Sequence, residues 1–402
     1  MNVVFISPHF PLYFHNFCSR LKDRGVNVLG IGDASYFEIS DETKASLTEY
    51  YRVDSLENYD EVYRAVAYFI HHYGRIDFIE SQNEYWLETE AKLRTAFNIN
   101  TGTKYEKLSP MKYKSKMKAV YQSVGIPVAR YHMVDTLENG LKFIEEVGYP
   151  VVVKPDNGVG ASSTYKLKSQ DEVEFFYVTK DPNVSFIMEE FVEGRVETFD
   201  GVTDSNKNIL ICSSHVMLNS IMDNVNEASD TAFYGQFVEG MDIQEIGKRV
   251  VQAFDTRSRF FHFEFFRLTK DKEGLGKAGD IVGLEVNMRA PGAYMPDMIN
   301  YEYNQDVYTI WADMLIYDKA FVTPKQQYTV GYIGRRDGIW YENNYDQIRE
   351  TYGNEIVLET DVPEALSAAM GNHVFIVRTT SQEKLFEIIR YVLRREDGTD
   401  WM

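Results

Sequence analysis

The stretch YPVVVKPDNGVGASS, residues 149–163, runs directly into TYKLK, and its reading decides the fold. Residues 151–153 are three valines, a β-branched apolar run that reads as a buried strand. Lys154 ends that strand, where the stem can stay packed while the charged head leaves the core. Gly158 and Gly160 follow, with small or polar neighbours up to Ser162 and Ser163. A loop of this composition can bring successive backbone N–H groups against an anion. In a Walker-type loop the glycines precede Lys-Ser/Thr and the chain continues as a helix. Here the lysine comes first and the chain returns as a second strand. The pattern predicts a glycine-rich hairpin folded over phosphates, with an ordinary surface hairpin as the alternative.

The 402 residues exceed one ordinary core, so two or three domains are expected. A hydrophobic fraction of 44% with 14% aromatics supports globular packing. The net charge of −19 argues against nucleic acid or an anionic membrane as the main partner. A phosphate site in so acidic a chain must concentrate its positive charge locally and recruit a divalent metal. Cys18 and Cys212 have no metal-ligand spacing, so neither a disulfide framework nor a structural zinc is expected. No apolar run approaches the ~20 residues that span a bilayer. The opening MNVVFISPHFPLYF has no charged n-region or cleavage site, so a soluble cytoplasmic protein is expected.

Outward from the hairpin, residues 2–7 and 26–31 read as strands around a helix at 16–24, the start of a parallel helix-covered sheet. Gly30 and Gly32 lack the third glycine of a dinucleotide fingerprint. Tyr59–Tyr73 is an amphipathic helix, and residues 75–80 form a strand with 81–84 at its carboxyl end, where open α/β sheets bind ligands. Glu84 and Glu88 lie in first helical turns, where the helix dipole alone also accounts for acids. Lys104, Lys107, Lys112, Lys114, Lys116 and Lys118 form the one dense basic stretch, an expected anion site. Residues 186–192 read as a strand, and 196–202 pairs with 209–213. Residues 214–235 are long, polar and aperiodic, and read as a functional loop or lid. Arg335 and Arg336 read as a surface turn, with a substrate-carboxylate contact as the alternative.

The segments FHFEFFRL (261–268) and IVGLEVNMR (281–289) alternate. His262 and Glu264 share one face, as do Glu285, Asn287 and Arg289. The midpoint of Glu264 and Glu285 falls inside the Gly-rich connector 270–280, so antiparallel pairing sets the two carboxylates side by side. Two acids and an amide oxygen on one face match the hard oxygen ligands of Mg²⁺, which also binds substrate phosphates. Simple alternation on a solvated sheet face is the alternative.

Together these segments resemble the ATP-grasp superfamily, and most closely its carboxylate–amine ligases, over roughly residues 107–315. The resemblance implies an α/β (α+β) fold. An N-terminal parallel α/β domain (1–105) would precede an ATP-grasp core (106–318), with a small C-terminal α+β unit (319–402). Within the core a lysine and glycine-flap lid (106–190) and a metal and substrate subdomain (191–318) would clamp ATP. It assigns Lys114 and Lys154 to the phosphates, with the hairpin of Gly158, Gly160, Ser162 and Ser163 closing over them. Glu189, Glu190, Phe191 and Val192 would line the adenine pocket, and Glu197 would meet the ribose. Glu264, Glu285 and Asn287 would hold Mg²⁺, with Mn²⁺ as an alternative, and Arg289 would bind phosphate or an intermediate. Several relatives carry arginine where this chain has His262, which puts that auxiliary phosphate contact in doubt. The implied reaction joins a small carboxylic acid, an amino acid among the candidates, to an amine through an acylphosphate, releasing ADP and phosphate. A carboxylase, a small-molecule kinase or a non-catalytic ATP-binding module are the alternatives. No nucleic-acid or membrane partner is implied, and a homodimer is left open.

Overall fold

The computed structural model describes residues 1–158, 163–219 and 229–398. Strands β1 (Asn2–Ile6), β2 (Asn27–Gly32), β3 (Glu49–Arg52) and β4 (Phe78–Glu80) form a parallel sheet in the order β3-β2-β1-β4. Parallel strands are covered on both faces, which explains why all five residues of β1 are buried. The helix Tyr59–Tyr73 packs Val62, Ala65, Val66 and Phe69 against this sheet, as its period requires. The strand order reverses between β1 and β4, so their carboxyl ends open a crevice.

Strands β5 (Tyr131–Met133), β6 (Val151–Pro155), β7 (Tyr165–Leu167) and β8 (Phe186–Glu190) form a small antiparallel sheet, order β5-β8-β6-β7. Thus β6 and β7 are the two arms of the glycine hairpin. Gly160 and Ser162 lie outside the described residues. From β8 the chain passes through residues 191–193 into the largest sheet. Its strands are β9 (Gly194–Thr203), β10 (Ile209–Met217), β11 (Thr231–Gln236), β12 (Arg259–Leu268) and β13 (Ile281–Asn287), then β14 (Thr329–Arg335), β15 (Ile356–Asp361) and β16 (His373–Thr379). They run in the order β13-β12-β9-β10-β11-β14-β16-β15. The C-terminal strands therefore extend the same sheet, through the β11–β14 pairing.

One face of this sheet carries Phe199, Phe261, Phe263, Phe265 and Val286 against the helices Asp242–Ala253 and Lys114–Ser123. The opposite face packs Val202 and Phe260 on the helix Val307–Tyr317. Phe17 of the helix His15–Lys22 lies edge-on to Phe260 and Trp311, which docks the N-terminal sheet onto this layer.

Two sequence expectations need correction here. The ends of the expected loop 214–235 are strand, since β10 continues to Met217 and β11 begins at Thr231; its middle, 220–228, lies outside the described residues. Its polar residues hid the strand period because Ser213, Ser214 and His215 are all buried in a hydrogen-bonded cluster. The turn expected at 335–338 is present at Asp337 and Gly338, but Arg335 lies in the strand before it. Arg335 is buried in β14, donates to the Val392 carbonyl and lies over the rings of Tyr341 and Tyr345. Arg336 donates to the carbonyls of Ser367 and Ala368. The pair thereby holds the helices Glu364–Met370 and Gln382–Leu393. The helices Met295–Tyr303 and Tyr345–Tyr352 were not legible in the sequence, since Pro296 and scattered tyrosines blur their apolar faces.

Candidate active site

The basic stretch resolves into two buried lysines on one helix. Lys114 opens the helix Lys114–Ser123 and Lys118 lies one turn on. Asp156, just past β6, accepts from the Ser115 backbone N–H at 2.8 Å and its hydroxyl at 2.9 Å, which caps that helix and ties it to the hairpin. Lys114 Nζ then reaches the Gly158 carbonyl at 2.7 Å and Glu285 Oε1 at 3.1 Å. It bridges the hairpin and the acidic strand. Lys118 Nζ lies 2.9 Å from Glu189 Oε1, and Lys154 Nζ lies 3.0 Å from Glu189 Oε2. Burial opposes ionisation of Glu189, but the two ammonium groups outweigh it and hold the carboxyl at about 2. Burial likewise works against charge on Lys154, while Glu189 and Glu285 carry its pKa above the ordinary value. Lys154 is therefore not an exposed strand end: its side chain is 11% accessible and clamped.

Glu190 receives Arg130 at 2.7 Å and lies 3.6 Å from Lys272. Phe191 sits under Lys166, and Val192 packs with Ala129, Leu268 and Val282. These residues form the link from β8 to β9, at the junction of the two antiparallel sheets. Glu197 is buried and gripped by Arg267 Nε, 2.8 Å from each oxygen. Ser163 is the first described residue after the flap and takes a left-handed φ of +58°.

On β12 and β13, Glu264 and Glu285 are direct cross-strand partners, as are His262 and Asn287. Asn287 Nδ2 lies 3.5 Å from Glu264 Oε1. His262 Nε2 lies 3.1 Å from the same oxygen. Burial raises the Glu264 pKa, but His262 and Arg289 lower it further, so the carboxyl stays ionised. The pair thus holds two carboxylates together with a single lysine on Glu285. That donor set fits a hard divalent cation.

His262 is committed elsewhere. Its Nδ1 lies 2.5 Å from Asp200 Oδ1, which leaves only the edge toward Glu264. Asp200 Oδ2 also accepts Thr198 Oγ1 at 2.6 Å and meets His215 Nδ1 at 2.8 Å. His215 Nε2 lies 3.4 Å from Glu302 Oε1, and Glu302 Oε2 accepts Ser213 Oγ at 2.6 Å. Burial alone would lower both imidazoles; the flanking carboxylates instead hold His215 at about 10 and His262 at about 9. The approach of Glu302 needs Gly235, where a Cβ would fall 1.7 Å from Glu302 Oε1. Sequence reasoning missed Asp200, His215 and Glu302 entirely, because β9, β10 and the helix Met295–Tyr303 that supply them are far apart along the chain.

Of the two acids after β4, Glu88 pairs with Lys92 on the helix surface. Glu84 differs: it is 8% exposed and its Oε2 is buried without a partner. Burial pushes its pKa up to about 7, with Arg289 and Lys112 acting the other way. Arg289 follows β13, and its one hydrogen bond among the described residues goes to the Ala290 carbonyl at 2.7 Å.

Residues 112–260 match the model of the ATP-grasp domain. The L-arginine-specific L-amino acid ligase of Bacillus subtilis is 26% identical over 267 residues, which cover 64% of this chain and 62% of that protein. The match thus spans less than two thirds of the relative. The solved L-amino acid ligase from Bacillus licheniformis superposes with a TM-score of 0.70 at 15% identity, covering 99% of this chain and 97% of the other. N5-carboxyaminoimidazole ribonucleotide synthetase from Thermotoga maritima gives 0.66 at 16% identity, with 96% of both chains covered. These likenesses show the fold over nearly the whole chain, and the lysines, hairpin and acid pair occupy its centre. The likeness to the ATP-grasp domain thus lies in residues 112–260, the part of the chain that carries the lysines, the hairpin and the start of the acidic strand.

Proposed function

We propose that the protein is an ATP-dependent ligase joining a small carboxylic acid to an amine through an acylphosphate, with release of ADP and phosphate. The observation that carries this reading is the apposition of Glu264 and Glu285 beside Lys114, with Arg289 just past the end of β13. Amide formation in water is uphill, and phosphorylation of the carboxylate supplies the activated acyl group. For such a transfer the protein mainly positions the partners and neutralises charge. Lys114, Lys154 and Arg289 serve the phosphates, with Gly158 and Ser163 at the ends of the flap. Glu189 through Val192 and Glu197 flank the nucleoside. Glu264, Glu285 and Asn287 would hold Mg²⁺ or Mn²⁺, which supplies bridging and neutralisation of the phosphate oxygens. His262 holds Glu264 in place instead of touching phosphate. The relative named an L-amino acid ligase supports an amino acid as the acid. A cytoplasmic location belongs to the same proposal, since the reaction draws on ATP.

The test is isotopic. A carboxylate labelled with heavy oxygen should pass one labelled atom into inorganic phosphate, with ADP as the nucleotide product. AMP with label, or product accumulating without labelled phosphate, would overturn the ligase reading. A stable phosphorylated product without free phosphate would indicate a kinase, and phosphate release dependent on bicarbonate a carboxylase.

Nucleotide binding gives a second check. Lys154→Met keeps the apolar stem but removes the charge, and Lys118 still pairs with Glu189. The variant is expected to fold and to bind ATP at least about tenfold more weakly, a loss of ~1.4 kcal/mol. Unchanged affinity by calorimetry would remove Lys154 from the site.

A further inference from the structure

Of the six lysines at 104–118, Lys114 and Lys118 are buried. Lys114 serves the phosphates in the reading above, whereas Lys118 has no part in it. Lys118 Nζ meets Glu189 Oε1 at 2.9 Å, donates to the Ala129 carbonyl at 3.4 Å and lies 5.6 Å from the centre of the Tyr131 ring. Lys154 takes the other oxygen of the same carboxylate at 3.0 Å. Glu189 stands on β8, where Tyr131 of β5 and Val152 of β6 are its cross-strand partners. One buried carboxylate, fixed from both sides, thus lies between two ammonium groups from different elements.

This arrangement answers two opposed demands on a phosphate cradle. An ammonium group at such depth needs an anion, because burial favours its neutral form. An anion site, however, needs surplus positive charge. Lys114 already lies 3.1 Å from Glu285 and Lys154 3.0 Å from Glu189, so one-to-one pairing would leave the cradle neutral. A third lysine on Glu189 restores the surplus while every ammonium keeps a partner. Burial works against the Glu189 charge; Lys118 opposes it most, ahead of Lys154, and the carboxyl stays at about 2. Burial also lowers the Lys118 pKa, with Glu189 acting the other way.

We propose that Lys118 is a positioning residue for nucleotide binding, holding one oxygen of Glu189 so that Lys154, held by the other, keeps its charge for the phosphates. Lys118 itself touches no phosphate. The proposal rests on the nucleotide site of the ligase reading and is independent of the acid and the amine. Without Lys118, both oxygens of Glu189 turn to Lys154 and close a neutral pair, which ATP must open before it binds.

The experiment measures ATP and adenosine binding by calorimetry on the full chain without added metal. It compares the wild type with Lys118→Met, Glu189→Gln and the double variant. Lys118→Met should bind ATP at least about fivefold more weakly, with adenosine within about twofold of the wild type. In the Glu189→Gln background the same substitution should cost less than about twofold, because no carboxylate is left for Lys118 to hold. Lys118→Gln, which can still donate to Glu189 but carries no charge, should lose as much as Lys118→Met and covers a Met variant that fails to fold. Unchanged ATP affinity in both Lys118 variants would overturn the proposal. So would an equal loss in both backgrounds, which would put Lys118 on the phosphates, or a parallel loss of adenosine, which would make it a structural residue. Lys154→Met separates the proposal from the reading beneath it. Wild-type ATP affinity in that variant would remove the nucleotide site and the proposal with it; a loss there with none at Lys118 would overturn the proposal alone.

Discussion

Glu285→Gln is expected to cut ADP release by at least about 10²-fold at saturating ATP and acid, and to raise the Mg²⁺ concentration needed for half-maximal rate. The expectation follows from the register. Glu285 stands directly opposite Glu264, and Lys114 reaches it at 3.1 Å while also holding the Gly158 carbonyl at 2.7 Å. Glutamine preserves the shape of the strand but removes one of two charged oxygen ligands. It also leaves Lys114 without its anion at the mouth of the hairpin. Binding of ATP without added metal should change little, because Lys154 and Lys118 keep their contacts with Glu189. Wild-type rate with wild-type metal dependence would reduce the acid pair to sheet decoration.

Asp200→Asn is expected to destabilise the fold by about 3–5 kcal/mol in denaturant unfolding, the cost of removing one partner from a buried ionic cluster. Asp200 is fully buried and serves His262, His215 and Thr198 together. An amide cannot balance two imidazolium groups between them. The pH dependence supplies a separate signature. The folded His215 titrates at about 10 against an ordinary 6.5, so the native state keeps a proton that the unfolded chain gives up. Its contribution is complete below about pH 6.5 and is lost as pH rises through about 10. Asp200 is held below its ordinary 3.8, so its side of the same pairing is present above that pH and lost on acidification below it. Wild-type stability should therefore fall between about pH 6.5 and 10, and His215→Asn should flatten that slope. A wild-type curve that is level over this range would mean the cluster is not charged as described.

How much of this was legible in the sequence depended on distance along the chain. The hairpin arms, Lys154 and the helices Tyr59–Tyr73 and Leu137–Val147 followed from periods of two and 3.6 residues, which neighbouring side chains alone express. The Glu264–Glu285 pairing was also readable, because a short connector leaves an antiparallel hairpin little freedom of register. Tertiary structure decided the rest. Lys118 and Lys154 close on Glu189 from different elements, and Asp200, His215, His262 and Glu302 meet only once β9, β10, β12 and a later helix are side by side. Arg335 looked like a turn residue because its partners come from three places: Tyr341 in the following loop, Tyr345 at the start of the next helix and the Val392 carbonyl of the C-terminal helix. Glu84 marks the boundary between the two kinds of information. Its place at a strand's carboxyl edge was written in the local pattern, whereas its burial and lack of a partner arose only when the N-terminal sheet docked against Arg289. Short-range periodicity reports which face a side chain takes; its charge environment comes from residues that folding brings from far along the chain.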